Sequence, residues 1–164
     1  MPIGLKSTSD WTNCNEKGSG FQIDHTKLMP GVYISRVDGD IVTYDLRFVR
    51  PNMGRYLEND AIHTVEHLFA TYARDGEYAD KVVYFGPMGC RTGFYFLTRN
   101  LPHDKALALI KSAVKFIRDY DGEIPGCTAV ECGNYLEHDL EKAKAECTAY
   151  YDVIKDLSTE NLNY

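Results

Sequence analysis

At 164 residues, with 44% hydrophobic and 26% charged residues, the sequence suits one globular domain with a sizeable core. Its net charge of -6 denies it the basic face that phosphate-backbone binding needs, so no nucleic-acid partner is expected. No apolar run approaches a membrane span, and residues 1–20 lack the apolar centre of a signal peptide, so a cytoplasmic protein with no membrane partner is expected.

The predicted elements follow in chain order. Residues 1–20, rich in Ser, Asn, Lys and Gly, read as a flexible leader ahead of one domain over 21–164. Residues 31–36 and 41–49 carry β-branched and aromatic side chains, and Asp38-Gly39-Asp40 supplies the turn of a hairpin. Pro51-Asn52-Met53-Gly54 breaks the chain. A helix is predicted over 61–74, with Asp60 as its cap and Ile62, Val65, Leu68, Phe69 and Tyr72 at helical spacing. Residues 81–85 and 92–97 read as two more strands around a tight loop, 86–91. Two longer helices follow, over 104–120 and 139–157. Their apolar stripes are Leu107, Ile110, Val114, Ile117 and Leu140, Ala143, Cys147, Tyr150, Ile154. Without a regular βαβ rhythm, the pattern predicts a single α+β domain, with helices packed on one side of a mostly antiparallel sheet.

The first of the helices carries chemistry. His63 and His67 stand four residues apart and share one face, so both imidazoles can reach one metal ion. Glu66 lies beside them as a proton acceptor, and the spacing His-x-x-Glu-His is that of the reversed zincins. The plainer alternative is a solvated helix with incidental histidines, but Leu68, Phe69 and Ala70 set them against the buried face. An open catalytic site needs a third protein ligand. Cys132, in the short polar loop 131–135, is the best candidate, with Glu131 as its rival. The five cysteines are odd in number and form no CxxC pair, which fits free thiols in a reducing compartment. Cys147 falls on an apolar stripe and reads as core, Cys127 as a small filler, and Cys14 carries no signal. Cys90 differs. Gly89 and Gly93 give it a tight loop open to a ligand, and Arg91 beside it is placed to favour the thiolate. It reads either as a nucleophile or proton shuttle, or as a small turn residue.

Five motifs in order bring these residues together: Ile23-Asp24-His25-Thr26; Tyr44-Asp45-Leu46-Arg47-Phe48 with Pro51-Asn52; His63-Thr64-Val65-Glu66-His67-Leu68; Pro87-Met88-Gly89-Cys90-Arg91-Thr92-Gly93-Phe94-Tyr95; and Glu131-Cys132-Gly133 followed by His138-Asp139-Leu140-Glu141. Over residues 21–157 the sequence resembles the S-ribosylhomocysteine lyase (LuxS) family. The resemblance implies cleavage of S-ribosyl-L-homocysteine to L-homocysteine and 4,5-dihydroxy-2,3-pentanedione, the precursor of the signal autoinducer-2. It implies one divalent metal per subunit, natively Fe²⁺ with Zn²⁺ or Co²⁺ able to replace it, held by His63, His67 and Cys132. Cys90 and Glu66 take the acid/base positions, His25 and Arg47 match substrate-holding residues, and the working unit is a homodimer with pockets built from both chains.

The chemistry suits these residue types. A polarised sugar carbonyl acidifies the neighbouring C–H, two rounds of proton transfer walk the carbonyl to C3, and homocysteine leaves by β-elimination. Gly20 stands where many members have Ser, and Tyr84 where many have Asp, so contacts at those two substrate positions are expected to differ. Two rivals share part of the pattern. A reversed-zincin metallopeptidase normally takes a Glu as third ligand. A deformylase-like metallohydrolase carries its Cys before a His-Glu-x-x-His helix, the reverse of the order here.

Overall fold

The computed structural model describes residues 23–164. The predicted leader, 1–20, lies outside the described residues. Strands β1 (Gly31–Asp38) and β2 (Ile41–Arg47) form the expected hairpin, followed by helix α1 (Asn59–Asp75), strands β3 (Val82–Pro87) and β4 (Gly93–Arg99), and helices α2 (His103–Asp119) and α3 (Leu140–Ile154). The four strands pair in the order β1-β2-β4-β3, every neighbour antiparallel. Helix α1 packs on β3 and α3 on β1, while α2 lies against both α1 and α3. This is the predicted α+β architecture. Among the described residues, no helix is long and apolar enough to cross a membrane.

Strand alternation sends Tyr44, Leu46, Phe94 and Phe96 into the core, where each is fully buried. Against them α1 lays Val65, Leu68 and Phe69, with the Phe69 ring stacked on Phe85 at 3.8 Å. The α2 stripe, Leu107, Ile110, Val114 and Ile117, and the α3 stripe, Ala143, Cys147, Tyr150 and Ile154, are buried as their spacing predicts. Cys147 is thus core, and its burial pushes the thiol's pKa far up. Full burial of each Leu, Ile or Phe contributes roughly 1.5–3 kcal/mol, so these stripes fix how the helices sit on the sheet.

The start of α1 departs from expectation. Asp60 lies inside the first turn, Glu58 occupies the cap position, and no side chain caps the helix. Asp60 has another use: its carboxylate takes the Ala61 amide at 2.8 Å and the Lys142 ammonium at 2.8 Å, and Lys142 also reaches Glu58 at 2.6 Å. Two acidic groups at the positive end of α1 therefore hold the first turn of α3. Asp139 is the true N-cap of α3, accepting from the Lys142 amide at 2.9 Å.

One close approach shapes the sheet where the site lies. Gly93 pairs with Arg47, and a Cβ there would collide with the backbone carbonyl of Leu46. Gly93→Ala is expected to force β2 and β4 apart and to cost about 1–3 kcal/mol. Thermal unfolding followed by far-ultraviolet circular dichroism checks it; an unchanged midpoint would show that the strands yield at no cost.

Candidate metal centre

His63 and His67 sit on consecutive turns of α1, their rings 4.6 Å apart and perpendicular. His63 Nδ1 lies 2.9 Å from the carbonyl of Glu137, and His67 Nδ1 lies 2.8 Å from that of Pro125. A carbonyl can only accept, so each Nδ1 carries the proton and each Nε2 keeps its lone pair. Both lone pairs face Cys132 Sγ, at 3.4 Å from His63 and 3.9 Å from His67. Bond lengths of about 2.0–2.3 Å to a tetrahedral ion put its ligand atoms roughly 3.3–3.8 Å apart, so the spacing fits a metal. The loop that presents Cys132 is shaped locally: the Cys132 amide donates to the Thr128 carbonyl at 3.0 Å, and the Asn134 amide points at the sulfur from 3.5 Å. Upstream, Gly126 holds a positive φ of 69°, and its side-chain position would press on His67 Nδ1 at 3.3 Å. A glycine there lets Pro125 reach the imidazole.

His138 is the residue that sequence reasoning left without a role. Its donor atom joins those of His63, His67 and Cys132, all within 4.8 Å of one another. Its ring stacks on His63 at 3.9 Å. Thr64 explains its orientation. The Thr64 hydroxyl gives its proton to the Asp60 carbonyl at 2.8 Å, so it can only accept from His138 Nδ1 at 3.1 Å and from the Asp139 amide at 3.0 Å. His138 Nε2 is therefore a buried lone pair with no hydrogen-bond partner among the described residues. Burial, then the neighbouring His63 and His67, push its pKa down to about 4, and it stays neutral at pH 7. Such an orphaned acceptor, aimed where two imidazoles and a thiol converge, is what an absent cation would leave. The signal in the sequence was its place directly before the Asp139 cap, six residues after Cys132.

The other candidates stand outside the donor cluster. Glu66 projects from the same helix and shares with His67 a groove walled by Tyr84, Pro125 and Gly126. Tyr84, half exposed, thus borders the centre. Glu131 is exposed, accepts from Thr128 Oγ1 at 2.7 Å and stands outside the donor cluster, so the geometry favours Cys132 over it. Cys127 donates to the Tyr135 carbonyl at 3.2 Å and stands outside the donor cluster. Cys90 is exposed at the tip of the β3–β4 loop. Its neighbour Arg91 adopts a left-handed φ of 58°, which costs of order 1 kcal/mol and turns its side chain away, over the Tyr56 ring. The cation beside the sulfur is instead Arg47, whose Nη1 lies 3.8 Å from Sγ and 2.7 Å from Thr92 Oγ1. His25 precedes β1, its Nδ1 at 2.8 Å from the Ile23 carbonyl, and lies outside the donor cluster.

Two imidazoles on one helix and a loop thiol, joined by a third imidazole, make a divalent-metal site of the kind enzymes use. Comparison with known proteins narrows the class. A model of the S-ribosylhomocysteinase (LuxS) family matches residues 19–161. S-ribosylhomocysteine lyases of Borreliella afzelii and Porphyromonas gingivalis are 44% and 46% identical to it over 155 and 156 residues. The matches cover 91% of this chain and 99% and 98% of those proteins. The lyase of Clostridium acetobutylicum is 43% identical over a similar span. The chain belongs to the S-ribosylhomocysteinase (LuxS) family and is an enzyme of it.

Proposed function

We propose that His63, His67 and Cys132 hold the metal of this lyase, and that Cys90 and Glu66 move the protons of its reaction. The enzyme cleaves S-ribosyl-L-homocysteine to L-homocysteine and 4,5-dihydroxy-2,3-pentanedione. The observation that carries the reading is the convergence of two oriented Nε2 lone pairs on the Cys132 sulfur. A bound divalent ion supplies Lewis acidity toward a sugar oxygen. The chain's own groups do the rest. Cys90 Sγ, with Arg47 to stabilise the negative charge that comes and goes on it, exchanges a proton with the substrate carbon chain. Glu66, set in the groove beside His67, exchanges protons on the metal side. Together they return each proton one carbon along, and the last removal expels homocysteine as a thiol. Arg47 and His25 hold the sugar. Release of a thiol from S-ribosylhomocysteine, read with a thiol dye, tests the reading; a purified, metal-loaded protein that releases none would overturn it, and peptidase or deformylase turnover instead would favour the metallohydrolase rivals.

The native ion on this reading is Fe²⁺, as the family resemblance implies; a mixed nitrogen and sulfur site accepts several divalent ions, so affinity alone need not select it. Anaerobic purification is expected to yield iron and the higher activity, with loss on exposure to air. Equal metal content and activity under both regimes would assign zinc.

The catalytic domain spans 21–164, with 1–20 as its leader, and works in the cytoplasm as a homodimer. Val130 and Leu136 support the dimer: they flank the Cys132 loop and are 98% and 79% exposed, an apolar rim beside the metal centre that a second chain would cover. Burying one self-complementary patch creates two equivalent sites. Mixing inactive His25→Ala chains with inactive Cys90→Ala chains tests the shared pocket: if the two residues come from different chains, the heterodimer regains one intact pocket and some activity. No rescue, with subunit exchange confirmed, would place His25 and Cys90 in the same chain, and a fully active monomer by sedimentation would remove the shared pocket.

A further inference from the structure

The sheet pleat that sends Tyr44 and Leu46 into the core sends Asp45 and Arg47 to the opposite face. There Asp45 lies between Tyr33 and Tyr95, and Arg47 between Gly31 and Gly93. Both charges are nonetheless almost fully buried, 1% and 2% exposed. Part of their cover comes from far along the chain. Past a short 3-10 turn, Thr159–Asn161, the Leu162 carbonyl accepts from the Ile34 amide at 2.7 Å and stitches this segment to β1. Tyr164 then stacks on Tyr33, ring centroids 4.7 Å apart, and donates its hydroxyl to Asp45 Oδ2 at 2.7 Å. The same oxygen accepts from Arg47 Nη2 at 2.6 Å. Arg47 passes on through Nη1 to Thr92 Oγ1 and Cys90 Sγ, and Thr92 Oγ1 lies 3.1 Å from that sulfur.

We propose that Tyr164 is a positioning residue for the Cys90 thiol: by holding Asp45 Oδ2 it fixes where the Arg47 guanidinium stands beside the sulfur. The inference rests, for its catalytic consequence, on the reading of Cys90 as a proton-transfer group. The geometry gives the hydroxyl a part in this. A carboxylate and a guanidinium usually lock through two parallel hydrogen bonds, which set orientation as well as distance. Here Asp45 Oδ1 and Arg47 Nε have no partner among the described residues, so a single oxygen links the two groups. The guanidinium is therefore held by two single contacts, Asp45 Oδ2 on Nη2 and Thr92 Oγ1 on Nη1, and where the carboxylate oxygen is held helps to set its direction. Tyr164 holds it, with a ring braced on Tyr33. Burial and the Asp45 charge both push the phenol's pKa up, so the hydroxyl remains a donor at any working pH.

Tyr164→Phe keeps the ring on Tyr33 and deletes only the hydroxyl. Its test is the rate at which iodoacetamide alkylates Cys90 in the metal-loaded protein, read by peptide mass with Cys127 of the same molecule as internal reference. The expected result is a roughly tenfold slower reaction at Cys90, the order expected for losing one hydrogen bond to a charged group, with Cys127 unchanged. On the catalytic reading, kcat falls by a similar factor while metal content holds. An unchanged Cys90 rate in Tyr164→Phe overturns the proposal. So does a slowing seen only in Tyr164→Ala, which would make the ring mere packing. Slowed alkylation with unchanged kcat would uphold the positioning of Arg47 by Tyr164 and remove Cys90 from the proton transfer.

Discussion

Replacing Cys132 by alanine is expected to strip the metal and abolish turnover. Among the described residues the sulfur is the only thiol in the donor cluster, and it is the atom on which His63 and His67 converge. Without it two imidazoles remain on α1, with His138 stacked against one of them. Neutral nitrogen donors alone leave the charge of a divalent ion uncompensated in a half-buried setting, so affinity should fall by more than the roughly 10–100-fold that follows loss of an outer partner. The measurement is metal content after dialysis, alongside thiol release from S-ribosylhomocysteine. Cys147→Ala is the control: its sulfur is fully buried in the core, so that variant should lose stability yet keep its metal. Full metal and activity in Cys132→Ala would remove this residue from the centre.

The parts of this centre differ in how far the sequence announces them, and the difference is physical. His63 and His67 were legible because both lie on one helix, where a spacing of four residues sets their common face. The apolar stripes of α2 and α3 were legible for the same reason. Cys132 could be reached by elimination among five thiols, two of which the helical pattern and the leader had already accounted for. His138 had only a weak signal, its place shortly after Cys132, because its approach depends on α3 docking against α1, through Lys142, Asp60 and the Thr64 hydroxyl. Asp60 misled for a related reason. An acidic residue at the start of a helical pattern reads as a local cap, whereas here it serves a contact with a helix some eighty residues away. Arg91 misled because neighbours in sequence are not neighbours in space at a tight turn. Its left-handed backbone turns its side chain away, and the cation that reaches Cys90 comes from the adjacent strand through the pairing of Arg47 with Gly93. The Tyr164 contact had no local signal at all, since its partner lies 119 residues away.

Cys90→Ala and Glu66→Gln should each retain the metal and lose catalysis, the converse of the Cys132 result. Neither side chain belongs to the donor cluster, so removing either leaves the convergence on Cys132 intact. On the proposed reading each would nevertheless remove a proton carrier from a reaction that moves protons several times. A positioned acid or base is worth roughly 10²–10⁴-fold in rate, and the loss should sit at or above the upper end of that range for a group used in more than one transfer. The two variants should also differ from each other. Cys90, on the β3–β4 loop, stands beside Arg47, whereas Glu66 stands beside His67 on α1, so on the proposed reading they would serve different stages of the carbonyl's walk along the sugar. Incubation with substrate in deuterated water, followed by mass analysis of recovered substrate and any intermediate, reads this directly. A variant blocked early returns substrate without deuterium, and one blocked late accumulates an exchanged intermediate that has not released thiol. If Cys90→Ala keeps most of its activity, the thiol is a turn residue and the proton passes elsewhere. If Glu66→Gln loses its metal, the carboxylate belongs to the metal's surroundings instead of the proton path.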